Sequence, residues 1–587
     1  MHCFAVWAPD AQRVDIDLHT FDGVNTVAMD RSDSGWWRHD GQVGPGTDYA
    51  FHVDGGEATP DPRSPWQPYG VSGPSRVFDC TAHEWQDHGW RGPQDGAGVL
   101  GGVVYELHVG TFTPEGTLDA AIGRLDDLVA LGVDVVELMP LAAFPGRWGW
   151  GYDGVHPYAV HEPYGGPAAL QRLVDACHQR GLGVCLDVVY NHLGPSGNYL
   201  SRFAPYFTDK HHTPWGQAVN LDDEGSPHVR RWIIDNALRW FRDFHVDALR
   251  LDAVHELKDD SPRHVLAQLS DEAAALSDAL GRPLALIAES DLNDPKMVEP
   301  TSVGGYGMTA QWDDDLHHAL HTALTGERQG YYADFGSLGA VAKTLTRVFF
   351  HDGTWSSFRG EDWGAPVDPQ EHDGRRFVGY LQTHDQVGNR AVGDRIGTLL
   401  TPGQRAIGAA LVMTSPMTPM LFMGEEFAAS TPWQYFTDFD DLELGAAVRE
   451  GRRREFADHG WDAEDVPDPQ DNATRDRSVL NWDERDDGEH SRLLEWHRAL
   501  ISLRRQHKEL TDGRLDRIFV DAPDDEGWLL VRRGSLALAC NLMDRPATLP
   551  LPWPDATVLL TWDEGNTTVG IDGVALGGHG VALLRSP

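Results

Sequence analysis

VDALRLDAVH, residues 246–255, decides how this chain is read. It is an apolar run that ends in charge, with Arg250 and Asp252 two positions apart. Strand alternation puts two such side chains on one face. Three other stretches are built the same way: DVVYNH (187–192), LALIAES (284–290) and LQTHDQ (381–386). Strands buried on both faces read as continuous apolar runs. A parallel barrel carries its chemistry where such strands end. The four segments therefore read as barrel strands that deliver Asp187 and His192, Arg250 and Asp252, Glu289, and His384 and Asp385 to one mouth.

The alternation continues outward. VVYELHV (103–109), VDVVELMP (133–140), MTAQW (308–312) and MLFMG (420–424) are further strand candidates, which makes eight. Helical periodicity lies between them, as in PAALQRLVDACHQRG and SPHVRRWIIDNALRWFRDF, the latter opened by a Ser-Pro start signal. The middle of the chain, 91–510, is predicted to be a (β/α)8 TIM barrel. It exceeds the typical ~250 residues, so insertions are required. The segment 193–226 is one: rich in Pro, Gly, His and aromatics, without periodicity.

Short alternating strands flank the barrel. FAVWAP, RVDIDLH, GWWRHD and YAFHVDG lie within residues 1–90, and RIFVD, GWLLVRRG, LALACNL and GVALLRS within 511–587. Both ends read as β-sandwiches. Trp36 and Trp37 are adjacent on one strand, so at most one can be open for stacking.

Composition narrows the partners. The 587 residues are 41% hydrophobic, with a formal charge of −42. A field of that sign repels nucleic acid and anionic membrane. It also serves solubility. Five scattered cysteines form no C-x-x-C pair, so neither a disulfide scaffold nor a zinc site is expected. No run of eighteen apolar residues and no signal-peptide pattern is visible, so a cytoplasmic protein is expected.

Two carboxyl groups facing one another are the minimum equipment for cleaving a glycosidic bond. Arg250 beside Asp252 favours the ionised form a nucleophile needs, and an apolar surround raises Glu289 toward the proton-bearing state of a general acid. A structural ion pair and a solvated loop acid are the competing readings of these residues taken singly. The four segments in this order resemble the signature regions of the α-amylase superfamily of glycoside hydrolases (family 13). The resemblance implies Asp252 as nucleophile, Glu289 as acid/base and Asp385 as the third catalytic carboxylate. It implies Arg250 as partner of Asp252, Asp187 as the group orienting that arginine, and His192 and His384 as binders of sugar hydroxyls. Tyr152, beside Asp153 in RWGWGYDGVHPY, would stack on the cleaved sugar. Trp148 and Trp150 each read equally as cleft wall and as core. Asn191 matches a calcium ligand of the amylases, but 193–226 lacks an obvious acidic cage, so no metal is expected; the resemblance implies no organic cofactor. Glu425 and Glu426 in GEEF read as a solvated turn.

Beyond the four regions, ESDLNDP, GMTAQWDDDLHHALH, THDQVGNR and MLFMGEEF, with the linker DPRSPWQPYGVSGPSRVFD, resemble the malto-oligosyltrehalose trehalohydrolases. That resemblance implies a retaining hydrolase cleaving the α-1,4 bond next to the terminal trehalose of malto-oligosyl trehalose. Trehalose and a maltodextrin would be released, and a malto-oligosyltrehalose synthase would supply the substrate. It also implies a carbohydrate-binding-module-48-like N-terminal sandwich. His255, Asp291 and Asn293 are expected on the trehalose side. YELHVGTF leaves a glycogen branching enzyme as the alternative.

Overall fold

The computed structural model describes residues 2–457 and 465–587. All eight expected strands form: β1 (Val104–Leu107), β2 (Val135–Leu138), β3 (Gly183–Val188), β4 (Ala248–Leu251), β5 (Ala285–Ala288), β6 (Ala310–Trp312), β7 (Phe377–Tyr380) and β8 (Thr418–Phe422). They pair in parallel in chain order, and β8 pairs with β1 to close a barrel. Val104, Val135, Cys185, Ala248, Ile287, Ala310, Val378 and Met420 form one buried cluster inside it. Small and branched side chains thus plug the lower barrel and leave only its upper mouth for chemistry.

The lower mouth is tied to the chain that enters from the N-terminal sheets. Asp247, one residue before β4, is fully buried. It accepts from Val184 N at 2.9 Å, Trp90 Nε1 at 2.8 Å, Arg282 Nη1 at 2.8 Å and His178 Nε2 at 3.0 Å. His178 Nδ1 reaches Asp87 at 2.9 Å, and Trp90 stacks on its ring at 4.3 Å. Burial opposes a charge on His178, but its two carboxylate partners outweigh that and raise its pKa.

Two N-terminal sheets form. One orders His2–Trp7, Trp36–Gly41 and Asp30–Arg31; the other places Val14–Thr20 between Gly23–Ala28 and Asp48–Val53. They dock on the helix Ser226–Asp243 through Arg63 Nη1 to Asp235 (2.9 Å), Trp232 Nε1 to the Pro62 carbonyl (2.9 Å) and Trp7 stacked on His228 (4.5 Å). Trp37 is buried, and half-buried Trp36 lies against Arg63 and His228. Neither is an open platform. At the other end, a five-stranded sheet carries the four expected C-terminal strands and packs beside a three-stranded one. Buried Arg533 fastens it: its Nη1 donates to the carbonyls of Thr414, Ser415 and Leu510 at 2.7–3.0 Å.

Two expectations need correction. Residues 193–226 contain an antiparallel hairpin, Phe207–Thr213 with Gly216–Val219. Its strands are largely exposed and polar, so no apolar alternation marks them. Glu425 and Glu426 are buried rather than solvated. Burial pushes their carboxyls up to about 8 and about 7, and Tyr105 Oη donates to Glu426 at 3.1 Å.

Candidate active site

Arg250, the penultimate residue of β4, organises the upper mouth. Its Nη1 donates to Asp187 at 2.8 Å and to Asp252 at 2.9 Å, and its Nη2 lies 3.7 Å from Glu289. Register explains the first contact, because Asp187 and Arg250 are direct partners across β3 and β4. Trp312, at the end of β6, lies under the guanidinium at 4.3 Å. A planar fork with an aromatic floor holds several carboxylates at set angles, which an ammonium cannot do.

The two central carboxyl groups are held differently. Asp252 takes Arg250 on one oxygen and Asn191 Nδ2 on the other at 2.9 Å; the same amide also reaches the Asp252 carbonyl at 2.7 Å. Asn191 therefore spends its donors on Asp252. Glu289 accepts from the Ala253 N–H at 2.5 Å. Ala253 sits in the left-handed region at φ 37°, a strained turn that presents this donor. Burial, helped by the neighbouring charges of Asp252 and Asp314 and opposed by Arg250, pushes the Glu289 carboxyl up to about 8. It retains its proton at neutral pH.

Around them Tyr152 Oη donates to Asp187 at 2.7 Å and lies 2.9 Å from His384 Nε2. Burial raises Asp187 to about 6 despite Arg250. His192 reaches the Tyr152 carbonyl at 3.0 Å and stacks on Trp215, 52% exposed at the tip of the hairpin, at 4.1 Å. Asp385 is exposed and accepts from Asn389 Nδ2 at 2.7 Å. Asp153 is half-buried, which lifts its carboxyl to about 6.

A cleft of about 830 Å³ runs from Glu289 and Asp385 past His255, Asp291 and Asp314. Asp291 is clamped by Arg359 Nη2 at 2.8 Å and lies 3.6 Å from His255. Three sequence-based candidates fare less well. Asn293 lies in the cleft wall, but its amide donates to Asp315 at 2.8 Å and to the His351 carbonyl at 3.1 Å, so those donors serve the scaffold. Trp148 is half-buried with the Arg475 guanidinium 4.1 Å over its ring, a packing role. Trp150 is buried and stacks on Trp433. Sequence reasoning missed Glu106, Asp314 and Asn389. It also missed the wall of Tyr331, Phe358 and Arg359, which stands on segments between β6 and β7 where no strand-end signal points to it. Among the described residues, His211, Asp222 and Asp260 could surround a cation, but Lys210 Nζ already holds Asp222 at 2.8 Å.

The chain is similar to several known proteins. Residues 74–217 match the alpha amylase catalytic domain, and 513–583 match a domain of unknown function, DUF3459. A malto-oligosyltrehalose trehalohydrolase from Rhizobium sp. (strain M-11) is 51% identical over 97% of this chain and 95% of its own length. The chain belongs to the malto-oligosyltrehalose trehalohydrolase family. The crystal structure of a protein described as an alpha amylase from Salmonella typhimurium superposes with a TM-score of 0.89 at 38% identity, covering 100% of this chain and 97% of that one. A 1,4-alpha-glucan branching enzyme from Bacillus caldolyticus is more distant from the family member described here, at 28% identity over 75% of the chain and 67% of its own length.

Proposed function

We infer that the protein hydrolyses the α-1,4-glucosidic bond next to the terminal trehalose of malto-oligosyl trehalose, with retention of configuration. One observation carries the chemistry: Glu289 keeps its proton to about pH 8 while Asp252, touching the same guanidinium, is held by Arg250 and Asn191. Glu289 would protonate the glycosidic oxygen as Asp252 attacks the anomeric carbon. Trehalose departs, leaving a maltodextrinyl ester on Asp252. Glu289, now ionised, takes a proton from water, which opens the ester and regenerates both groups. Asp385 would hold the sugar whose ring flattens in the transition state, against the ring of Tyr152 and beside His192 and His384. Interactions that tighten only there lower the barrier.

The trehalose side is proposed to lie toward His255 and Asp291, in the part of the cleft faced by Tyr331, Phe358 and Arg359. A wall of polar groups set for one pair of hydroxyls rejects a leaving group that leaves them unpaired. The family relatives favour hydrolysis of the trehalosyl substrate over branching. Residues 1–90 are proposed to brace the barrel, 91–510 to hold the site and 511–587 to close the far side. We further propose a cytoplasmic protein fed by a synthase that converts the reducing end of a maltodextrin to an α,α-1,1 linkage; no described helix is long and apolar enough to cross a membrane.

The test is a comparison of maltotriosyl trehalose with a maltodextrin of equal length. Trehalose should be released, and kcat/KM should favour the first substrate by a wide margin. Equal values would leave a general α-glucan hydrolase, and new α-1,6 branches exceeding hydrolysis would establish the branching reaction instead.

A further inference from the structure

The reaction described above assigns no task to Glu106, the third residue of β1. It is buried and faces the barrel axis just below the site. Both of its carboxylate oxygens are turned to one residue: Oε2 accepts from the His384 backbone N–H at 2.9 Å and Oε1 from His384 Nδ1 at 2.5 Å. On the far side of the ring, His384 Nε2 lies 2.9 Å from Tyr152 Oη, and that hydroxyl lies 2.7 Å from Asp187 Oδ2.

Proton counting settles the direction of this chain. An ionised carboxylate only accepts, so Nδ1 must carry a proton. Tyr152 has one proton, and the acceptor-only Asp187 takes it. The tyrosine oxygen is then left to accept, so Nε2 must carry a proton too. We propose that Glu106 is a positioning residue that holds His384 as a doubly protonated imidazolium and thereby keeps the Tyr152 proton on Asp187.

The consequence reaches the proposed nucleophile. A neutral His384 with a bare Nε2 would draw the Tyr152 proton away from Asp187. Asp187 would keep only Arg250, and that guanidinium is shared with Asp252. Glu106 would thus act on Asp252 through four residues without touching substrate. The groups facing His384 from the surrounding elements are Glu106 on β1, His108 after that strand, Tyr152, Asp187 on β3, Arg250 on β4 and Asp385 beside it, with Glu137 of β2 near Glu106. Burial opposes the charge on His384, yet Glu106 and Asp385 outweigh it and raise its pKa above the ordinary histidine value. The second nitrogen of an imidazole commonly fixes what the first presents.

The inference rests on the glycosidase reading, and the experiments separate the two. Nitrogen-15 NMR of histidine-labelled full-length protein, with the His384 signals identified from His384→Gln, should show both ring nitrogens protonated at pH 7. An unprotonated Nε2 at pH 7 would overturn the proposal, whatever the substrate. Kinetics would use α-maltotriosyl fluoride, whose leaving group needs no proton from Glu289. Glu106→Gln should lower kcat roughly 10- to 100-fold, the scale for partners that orient a functional imidazole. KM should stay within about threefold, and the alkaline limb should move at least about one pH unit toward acid. An unchanged profile in a folded Glu106→Gln protein would overturn it. Should that variant not fold, the NMR measurement on the wild type decides. No turnover of any α-glucosyl substrate by the wild type would sink the glycosidase reading and leave the protonation result standing.

Discussion

Replacing Arg250 with lysine separates charge from geometry at this site. The arginine is buried, with Nη1 at 2.8 Å from Asp187 and 2.9 Å from Asp252, Nη2 3.7 Å from Glu289, and its plane over Trp312 at 4.3 Å. A lysine keeps the positive charge, but one ammonium cannot span the same partners from a flexible stem. At least one charge-assisted hydrogen bond should be lost, worth about 1.5–3 kcal/mol. If that bond holds Asp252 in line for attack, kcat/KM falls roughly 10- to 150-fold. Arg250→Met removes the charge as well and leaves Asp187 and Asp252 as uncompensated neighbours, for which breaking a buried pair costs about 3–5 kcal/mol of stability. The assay is initial-rate release of trehalose from maltotriosyl trehalose, with thermal melts in parallel. The expected pattern is a folded, slow Arg250→Lys protein and a destabilised Arg250→Met protein. Arg250→Lys within about twofold of wild type would refute the reasoning, because charge alone would then suffice.

Other outcomes follow from the same structure. With Glu289 raised to about 8, the acid form needed for the first step is lost above that pH, so kcat/KM on maltotriosyl trehalose should be flat to about pH 7 and fall tenfold per unit well above 8; a limb near pH 5 would contradict the assignment. Glu289→Gln should abolish that limb and lower the rate roughly 10²–10⁴-fold, with activity on the fluoride spared in the first step. His178 has a raised pKa, so its contribution to stability is complete below the unfolded histidine value near 6.5 and is lost as pH rises through the higher folded value. His178→Gln should cost about 1.5–3 kcal/mol below neutral pH by removing a charged donor from Asp247, which keeps Arg282, and from Asp87, which keeps His245, and melts at pH 6 and pH 9 should show wild type converging on the variant; parallel curves would rule this out. Arg533→Met leaves the Thr414 carbonyl without its buried donor, at about 1–3 kcal/mol, while the carbonyls of Ser415 and Leu510 keep Arg504. Limited proteolysis should then clip the C-terminal sheets faster while the intact protein keeps its rate; unchanged resistance would show that the clamp is dispensable.

The barrel was legible because its strands are buried on both faces. Such strands must be apolar runs, and the residues ending 183–190, 246–252, 284–290 and 377–382 must then be the polar ones at the mouth. That logic assigns Asp187, Arg250, Asp252, Glu289, His384 and Asp385 to the mouth from local sequence alone. It failed at the hairpin Phe207–Thr213 with Gly216–Val219, whose exposed strands need no apolar pattern. It failed again at Glu425 and Glu426, where Gly and two acids in a row look like a turn in water but pack beside Tyr105 and Arg395. Pairings between distant segments were out of its reach. Glu106 and His384 stand 278 positions apart, and Asn191 meets Asp252 across 61. What sequence by itself determined was which residues end the strands, because burial periodicity is written locally. Only the tertiary structure decided which of them share a proton or a guanidinium, because hydrogen-bond partners are chosen by where the closed barrel brings strand ends together, and no local pattern encodes that closure.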